Sequence, residues 1–116
     1  MRLHELRREQ QPLTGDYDVF GDGTVTILSA PGHTPGHQCL ELKLASSGVV
    51  ILSGDLYPQR MNRAERLVPT FNSDRADSLA SIDRIERIVR NTHARLVIQH
   101  SAEDFATLPT FPAYLD

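Results

Sequence analysis

Ser29-Ala30-Pro31-Gly32-His33-Thr34-Pro35-Gly36-His37 sets two histidines four residues apart in a segment that mixes two prolines with two glycines. Proline fixes φ, and glycine adopts backbone geometries closed to other residues. The combination suits a strand end where the chain turns sharply and an imidazole is held still. The plainer reading is a tight turn with two solvent-facing histidines. Two strand ends further along the chain favour a site at His33.

The run Val49-Val50-Ile51-Leu52-Ser53 reads as a buried strand, and it ends in Gly54-Asp55, with a carboxylate at its tip. Arg95-Leu96-Val97-Ile98-Gln99 reads as a second such strand and ends at His100. His33, Asp55 and His100 thus fall at the C-terminal ends of three predicted strands, where α/β sheets place their ligands. A carboxylate with two imidazoles can hold zinc or another divalent first-row metal. An aspartate after glycine also caps turns. The spacing of Asp55 from two histidine-bearing strand ends favours ligation.

The Pro-Gly-His-Thr-Pro-Gly-His loop, the Leu-Ser-Gly-Asp strand end and the Ile-Gln-His strand end, in this order, resemble the motifs of the metallo-β-lactamase-fold hydrolases. The 22 residues from His33 to Asp55 and the 45 from Asp55 to His100 are most similar to the N-acyl homoserine lactonase branch. Phe111-Pro112-Ala113-Tyr114-Leu115 resembles the usual ending of that branch, and the likeness runs from about Gly15 onward. The resemblance implies that His33 ligates one metal, Asp55 bridges two, and His100 ligates the second. His37 matches a histidine that is ordinarily not a ligand, so its expected role is to support the site or the loop. Tyr57, two residues after Asp55, either helps hold a substrate carbonyl, as the resemblance implies, or packs in the core. Family members usually carry that tyrosine one residue later.

Full members also carry a His-x-His-x-Asp-His signature in an N-terminal half. Here the only histidine upstream of His33 is His4, and nothing in residues 1–30 reproduces the signature. The expected fold is therefore mixed α and β, the C-terminal half of the αβ/βα metallo-β-lactamase sandwich, with a β-sheet and one main packed helix. Residues 1–116 are expected to form a single partial domain, with 1–14 as an arm or connector left over from an internal junction.

Composition narrows the partners. At 116 residues, 40% hydrophobic and 23% charged, the chain can bury one modest core. Its net charge of −3 offers no basic field for nucleic acid or an anionic membrane, so neither partner is expected. No apolar run approaches the ~20 residues that span a bilayer. Cys39 is the single cysteine, which rules out an intrachain disulfide; with no secretory signal read, the expected location is cytoplasmic. A nucleophilic role for Cys39 would need a neighbouring base, and packing or a surface position is the better account.

In chain order, residues 1–11 suit a weak amphipathic helix. Tyr17 to Phe20 reads as a short strand, Gly21-Asp22-Gly23 as a hairpin turn, and Thr24 to Leu28 as the returning strand. Gln38 to Leu44 alternates, with Leu40, Leu42 and Leu44 on one face and Cys39, Glu41 and Lys43 on the other. Residues 58–72 read as loop or short helical turn, with Arg60, Arg63 and Arg66 as a solvated face. Ser73 or Asp74 caps a helix with a stripe of Leu79, Ile82, Ile85, Ile88 and Val89, leaving Asp83, Arg84, Glu86, Arg87 and Arg90 toward water. His93 falls at its end, and residues 101–105 suit a helical turn.

Three functions remain open. The first is a metal-dependent hydrolase, lactonase-like, acting on a small-molecule ester or lactone through activated water, with a divalent metal as cofactor. One or two zinc ions are favoured; iron, manganese and cobalt are alternatives. Such a site would be completed by a complementing N-terminal half or by a second copy in a homo-oligomer. The second is an inactive metal-binding half-domain, and the third a metal-free assembly module. Metal content separates the third from the others, and turnover separates the first from the second.

Overall fold

The computed structural model describes residues 15–57, 60–66, 68, 74–99, 101–109 and 113–116. The expected N-terminal helix of residues 1–11 and the candidate ligand His100 lie outside the described residues.

Five strands form one sheet in sequential order: β1 (Tyr17–Asp18), β2 (Val25–Ser29), β3 (Gln38–Leu44), β4 (Gly48–Leu52) and β5 (Arg95–Val97). The first four make an antiparallel meander, and β5 joins β4 in parallel. A parallel neighbour requires a crossover connection. Two helices lie in it, α1 (Arg60–Glu65) and α2 (Arg75–Thr92), and a third, α3 (Ala102–Ala106), follows β5. This mixed architecture is the one expected from the sequence.

The β1–β2 turn is wider than a two-residue hairpin. Gly21 and Gly23 both sit at φ +78, and their N–H groups donate to the two carboxylate oxygens of Asp18 at 3.0 and 2.9 Å. The Asp22 carboxylate accepts from the Thr24 hydroxyl and N–H, which holds its pKa below the ordinary value.

Helix α2 begins where the sequence places a capping residue. Asp74 has extended backbone and its carboxylate accepts from the Asp77 N–H at 2.8 Å, satisfying a donor the first turn cannot pair internally. The helix ends at His93, whose left-handed φ of 54 turns the chain toward β5.

The core lies between α2 and one face of the sheet. Leu28, Ala30, Cys39, Ile51, Leu96 and Ile98 meet Ile82 and Ile85 of α2, with Leu56 and Tyr57 closing the layer. Strand alternation then puts Val25, Ile27, Leu40, Leu42 and Leu52 on the opposite face, where each keeps partial exposure. Cys39 is thus on the helix-packed face. The leucine row, the more apolar side of β3 by composition, is on the other. Two serines, Ser78 and Ser81, are also buried on α2, their hydroxyls donating to the Asp74 and Pro31 carbonyls.

Two of the arginines expected to face solvent, Arg63 and Arg66, also reach α2. Arg63 makes a two-pronged bond to Glu86, at 2.6 and 3.0 Å, and Arg66 pairs with Asp83. The first ties α1 to α2, and the second ties the turn just after α1 to α2. Among the described residues no helix is long and apolar enough to cross a membrane.

Candidate metal centre

The histidine loop leaves β2 at Ser29 and enters β3 at Gln38, and it is fastened on both flanks. Its own ends are closed by the Ala30 N–H donating to the His37 carbonyl at 2.9 Å. Helix α2 holds the rest. The Ser81 hydroxyl donates to the Pro31 carbonyl at 2.7 Å, the Asp74 N–H to the Gly32 carbonyl at 3.1 Å, and the Arg84 guanidinium to the Ser29 carbonyl at 2.8 Å. Arg84 also pairs with Asp16, whose other oxygen accepts from the Ser29 N–H. Gly32 passes so close to the helix that a Cβ would lie 2.6 Å from the Ser78 backbone nitrogen, and its φ is +143. Pro31 and Gly32 therefore fit one docking geometry. In sequence Arg84 reads as water-facing, because helical periodicity marks only the apolar stripe.

The loop brings His33 to the tip of β4. His33 Nε2 lies 3.5 Å from Asp55 Oδ2, and both side chains stay partly exposed, at 28% and 43%. Two ligands of one tetrahedral zinc, each at about 2.0–2.1 Å, are separated by roughly 3.3 Å. The donor set and its spacing therefore fit a divalent ion, with partial exposure leaving room for water. Among the described residues no cluster of three or more metal-competent side chains occurs.

His37 is committed elsewhere. Its Nδ1 is 2.9 Å from the Ala30 carbonyl, and its Nε2 accepts from the Asp55 N–H at 2.8 Å. The carbonyl can only accept, so Nδ1 carries the proton and Nε2 is the acceptor. With both nitrogens engaged, His37 links the histidine loop to the strand end that carries Asp55. Its ring meets that of His33 edge-on, with centroids 6.0 Å apart.

Tyr57 is fully buried and its hydroxyl donates to Glu86 at 2.8 Å. Of its two expected roles this is the packed arrangement. Burial, reinforced by the carboxylate, raises its pKa. Cys39 is buried beneath the loop, 3.3 Å from the Ser53 carbonyl, and burial pushes its thiol up to about 12. That excludes a resting thiolate.

The third strand end is also anchored. Ser53 donates its N–H and its hydroxyl to the Val97 carbonyl, continuing the β4–β5 pairing beyond the strands. Gln99 Oε1 accepts from the Gly54 N–H at 2.5 Å. On the far side of His100, the buried Asp104 accepts from the Ile98 N–H at 2.9 Å, and the Ser101 N–H donates to the Ile98 carbonyl. Gln99 carries no sequence signal of its own beyond adjacency to a candidate ligand.

The sheet and its crossover helices match part of the metallo-β-lactamase fold. A solved N-acyl homoserine lactone hydrolase, with the product N-hexanoyl-L-homoserine bound at its catalytic metal centre, superposes at a TM-score of 0.79 with 32% identity. The match covers 89% of this chain and 40% of that one. In sequence the chain is similar to N-acyl homoserine lactonases over part of their length. It is 31% identical over 100 residues to the lactonase AttM of Azorhizobium caulinodans, and 32% identical over 103 residues to AiiA of Bacillus thuringiensis subsp. kurstaki. These alignments take in 86% and 89% of this chain but 38% and 40% of the relatives, so the chain spans about two-fifths of their length. No protein-family model matches it.

Proposed function

We propose that this chain supplies one side of a metal-dependent lactone-hydrolysing centre, with His33, Asp55 and His100 as ligands and a complementing polypeptide or second copy providing the remainder. The observation that carries the proposal is the 3.5 Å approach of His33 Nε2, in the β2–β3 loop, to Asp55 Oδ2, just past the end of β4. Zinc suits this donor set first, as one ion or two; iron, manganese or cobalt would also fit.

A bound divalent ion would supply Lewis acidity, polarising an ester carbonyl and making water a nucleophile at neutral pH. The chain's own residues orient. His37 and the α2 contacts hold the loop so that His33 faces Asp55, while the partial exposure of both leaves an approach for a small-molecule ester or lactone. Tyr57 enters this reading as a core tyrosine that steadies α1 and α2 through Glu86 rather than as a group that meets the carbonyl.

Completion by a partner is supported by the partial exposure of Val25, Ile27, Leu40, Leu42 and Leu52 on the sheet face away from α2, although Val50 and Val97 on that face are buried. Residues 1–116 are read as one domain, with 1–14 as an arm. A second reading is a metal-binding unit without turnover, in which the same His33–Asp55 approach holds an ion but no reaction follows.

The test is elemental analysis with molar mass in solution, comparing wild type with His33→Ala, followed by an N-acyl homoserine lactone hydrolysis assay. Stoichiometric metal lost in the mutant supports the centre, and turnover then separates the two readings. A wild type that binds no zinc at neutral pH sinks both.

A further inference from the structure

Two consecutive backbone N–H groups at the tip of β4 are bonded to side chains from two different strand ends. The Gly54 N–H donates to Gln99 Oε1 at 2.5 Å, and the Asp55 N–H donates to His37 Nε2 at 2.8 Å. Gln99 follows β5 and immediately precedes His100; His37 closes the loop that carries His33. The three strand ends bearing the candidate ligands are therefore joined by bonds that do not use the ligand side chains. From Ala30 the connection runs through His37 to Asp55, then through Gly54 to Gln99.

The backbone between the two bonds admits only glycine without displacement. Gly54 has φ +59, and a Cβ there would lie 2.8 Å from His37 Nε2 and 3.2 Å from the Gln38 carbonyl. The left-handed turn at Gly54 sends its N–H toward β5 while the next N–H goes toward the histidine loop. Parallel pairing of β4 with β5 stops at Leu52 and Val97, with Ser53 bonding onward to Val97. Beyond that point Gln99 provides a described bond from the β5 end to the Gly54-Asp55 backbone.

We infer that Gln99 is a positioning residue: through the Gly54 N–H it fixes the separation between the strand end of Asp55 and the strand end of His100, opposite His37 on the other flank. This rests on the proposed metal centre. Gln99 need touch neither metal nor substrate. Outer hydrogen-bond partners of metal ligands typically alter affinity by about 10–100-fold when removed.

The experiment compares wild type, Gln99→Met, which keeps length without the acceptor oxygen, and Gln99→Glu, which restores one. In the metal-free proteins, amide hydrogen exchange at Gly54 is expected to quicken at least tenfold in Gln99→Met and to return toward wild type in Gln99→Glu, with melting temperatures close to one another. In cobalt-loaded protein, Gln99→Met is expected to bind about 10-fold more weakly and to show a shifted visible spectrum, again recovered by Gln99→Glu. Wild-type-like affinity and spectrum in Gln99→Met, with His33→Ala losing the metal, would overturn the positioning role and leave the centre standing. A wild type that binds no cobalt would instead overturn the centre, and this role with it, whatever the exchange data show. Unchanged Gly54 exchange in Gln99→Met would overturn the bond itself.

Discussion

His37 Nε2 accepts the backbone N–H of Asp55 across 18 residues of sequence, at 2.8 Å, while Nδ1 donates to the Ala30 carbonyl. One imidazole thus satisfies two backbone groups from two strand ends. His37→Ala would leave both without that partner, at a cost of about 1–3 kcal/mol if they stay dry. Chemical denaturation checks the stability. A metal titration checks the second consequence, an affinity for zinc about 10–100-fold weaker than wild type. Unchanged affinity would show that Asp55 keeps its place without the imidazole.

The Tyr57–Glu86–Arg63 group predicts an acid-sensitive joint between α1 and α2. The Arg63 guanidinium, bonded at 2.6 Å, and then the Tyr57 hydroxyl hold the Glu86 carboxyl below its ordinary value near 4.5. A depressed folded pKa contributes stability that is complete above the unfolded value and is lost as pH falls through the folded one. Wild type should therefore lose stability below about 4.5 more steeply than Glu86→Gln. At neutral pH Glu86→Gln should cost about 1–3 kcal/mol. Asp83→Asn, which breaks the exposed Arg66 pair, should cost under about 1 kcal/mol. Urea melts at pH 3.5, 5 and 7 test all three statements.

Gly32 and Gly48 separate crowding from backbone strain. Both have positive φ, +143 and +72, but only Gly32 faces atoms, those of Ser78, while Gly48 has open space. Gly48→Ala should cost about 1–2 kcal/mol for the left-handed backbone alone. Gly32→Ala should cost more than about 2 kcal/mol, because the loop must also lift from α2. Equal melting temperatures for the two variants would contradict the tight docking of the loop.

Cys39 should be silent toward thiol reagents in the native state. It is 3% exposed and its pKa is pushed up to about 12 by burial. Ellman's reagent at pH 7.5 should label it only as the protein unfolds, so labelling and loss of circular dichroism should follow the same denaturant curve. A fast native-state phase would place the thiol elsewhere.

The strand ends were legible because their signals are local. Val49 to Ser53 and Arg95 to Gln99 are apolar runs bounded by glycine or a polar residue, and Asp74 precedes an apolar stripe of helical period. The packed face of β3 was not, since Leu40, Leu42 and Leu44 outweigh Cys39, Glu41 and Lys43 by composition. Which side meets α2 depends on the sheet as a whole. Arg84 and Glu86 read as solvent-facing because the wheel marks where a residue sits on the helix, not what lies within reach of a long side chain. The Gln99–Gly54 bond spans 45 residues and joins a side chain to a backbone group, which leaves no pattern in sequence.

The parallel pairing of β4 with β5 also sets an order of events during folding. The meander from β1 to β4 closes through short loops, whereas Ser53 and Val97 meet only after 44 intervening steps of chain have been drawn back through α1 and α2. Loop closure makes such a long-range contact the slower one. The histidine loop and the tip carrying Asp55 therefore face each other before the strand leading to His100 arrives. In the proposed centre the donor set would stay incomplete until that last strand docks, so tight capture of a metal ion would report that the chain has finished folding rather than help it begin.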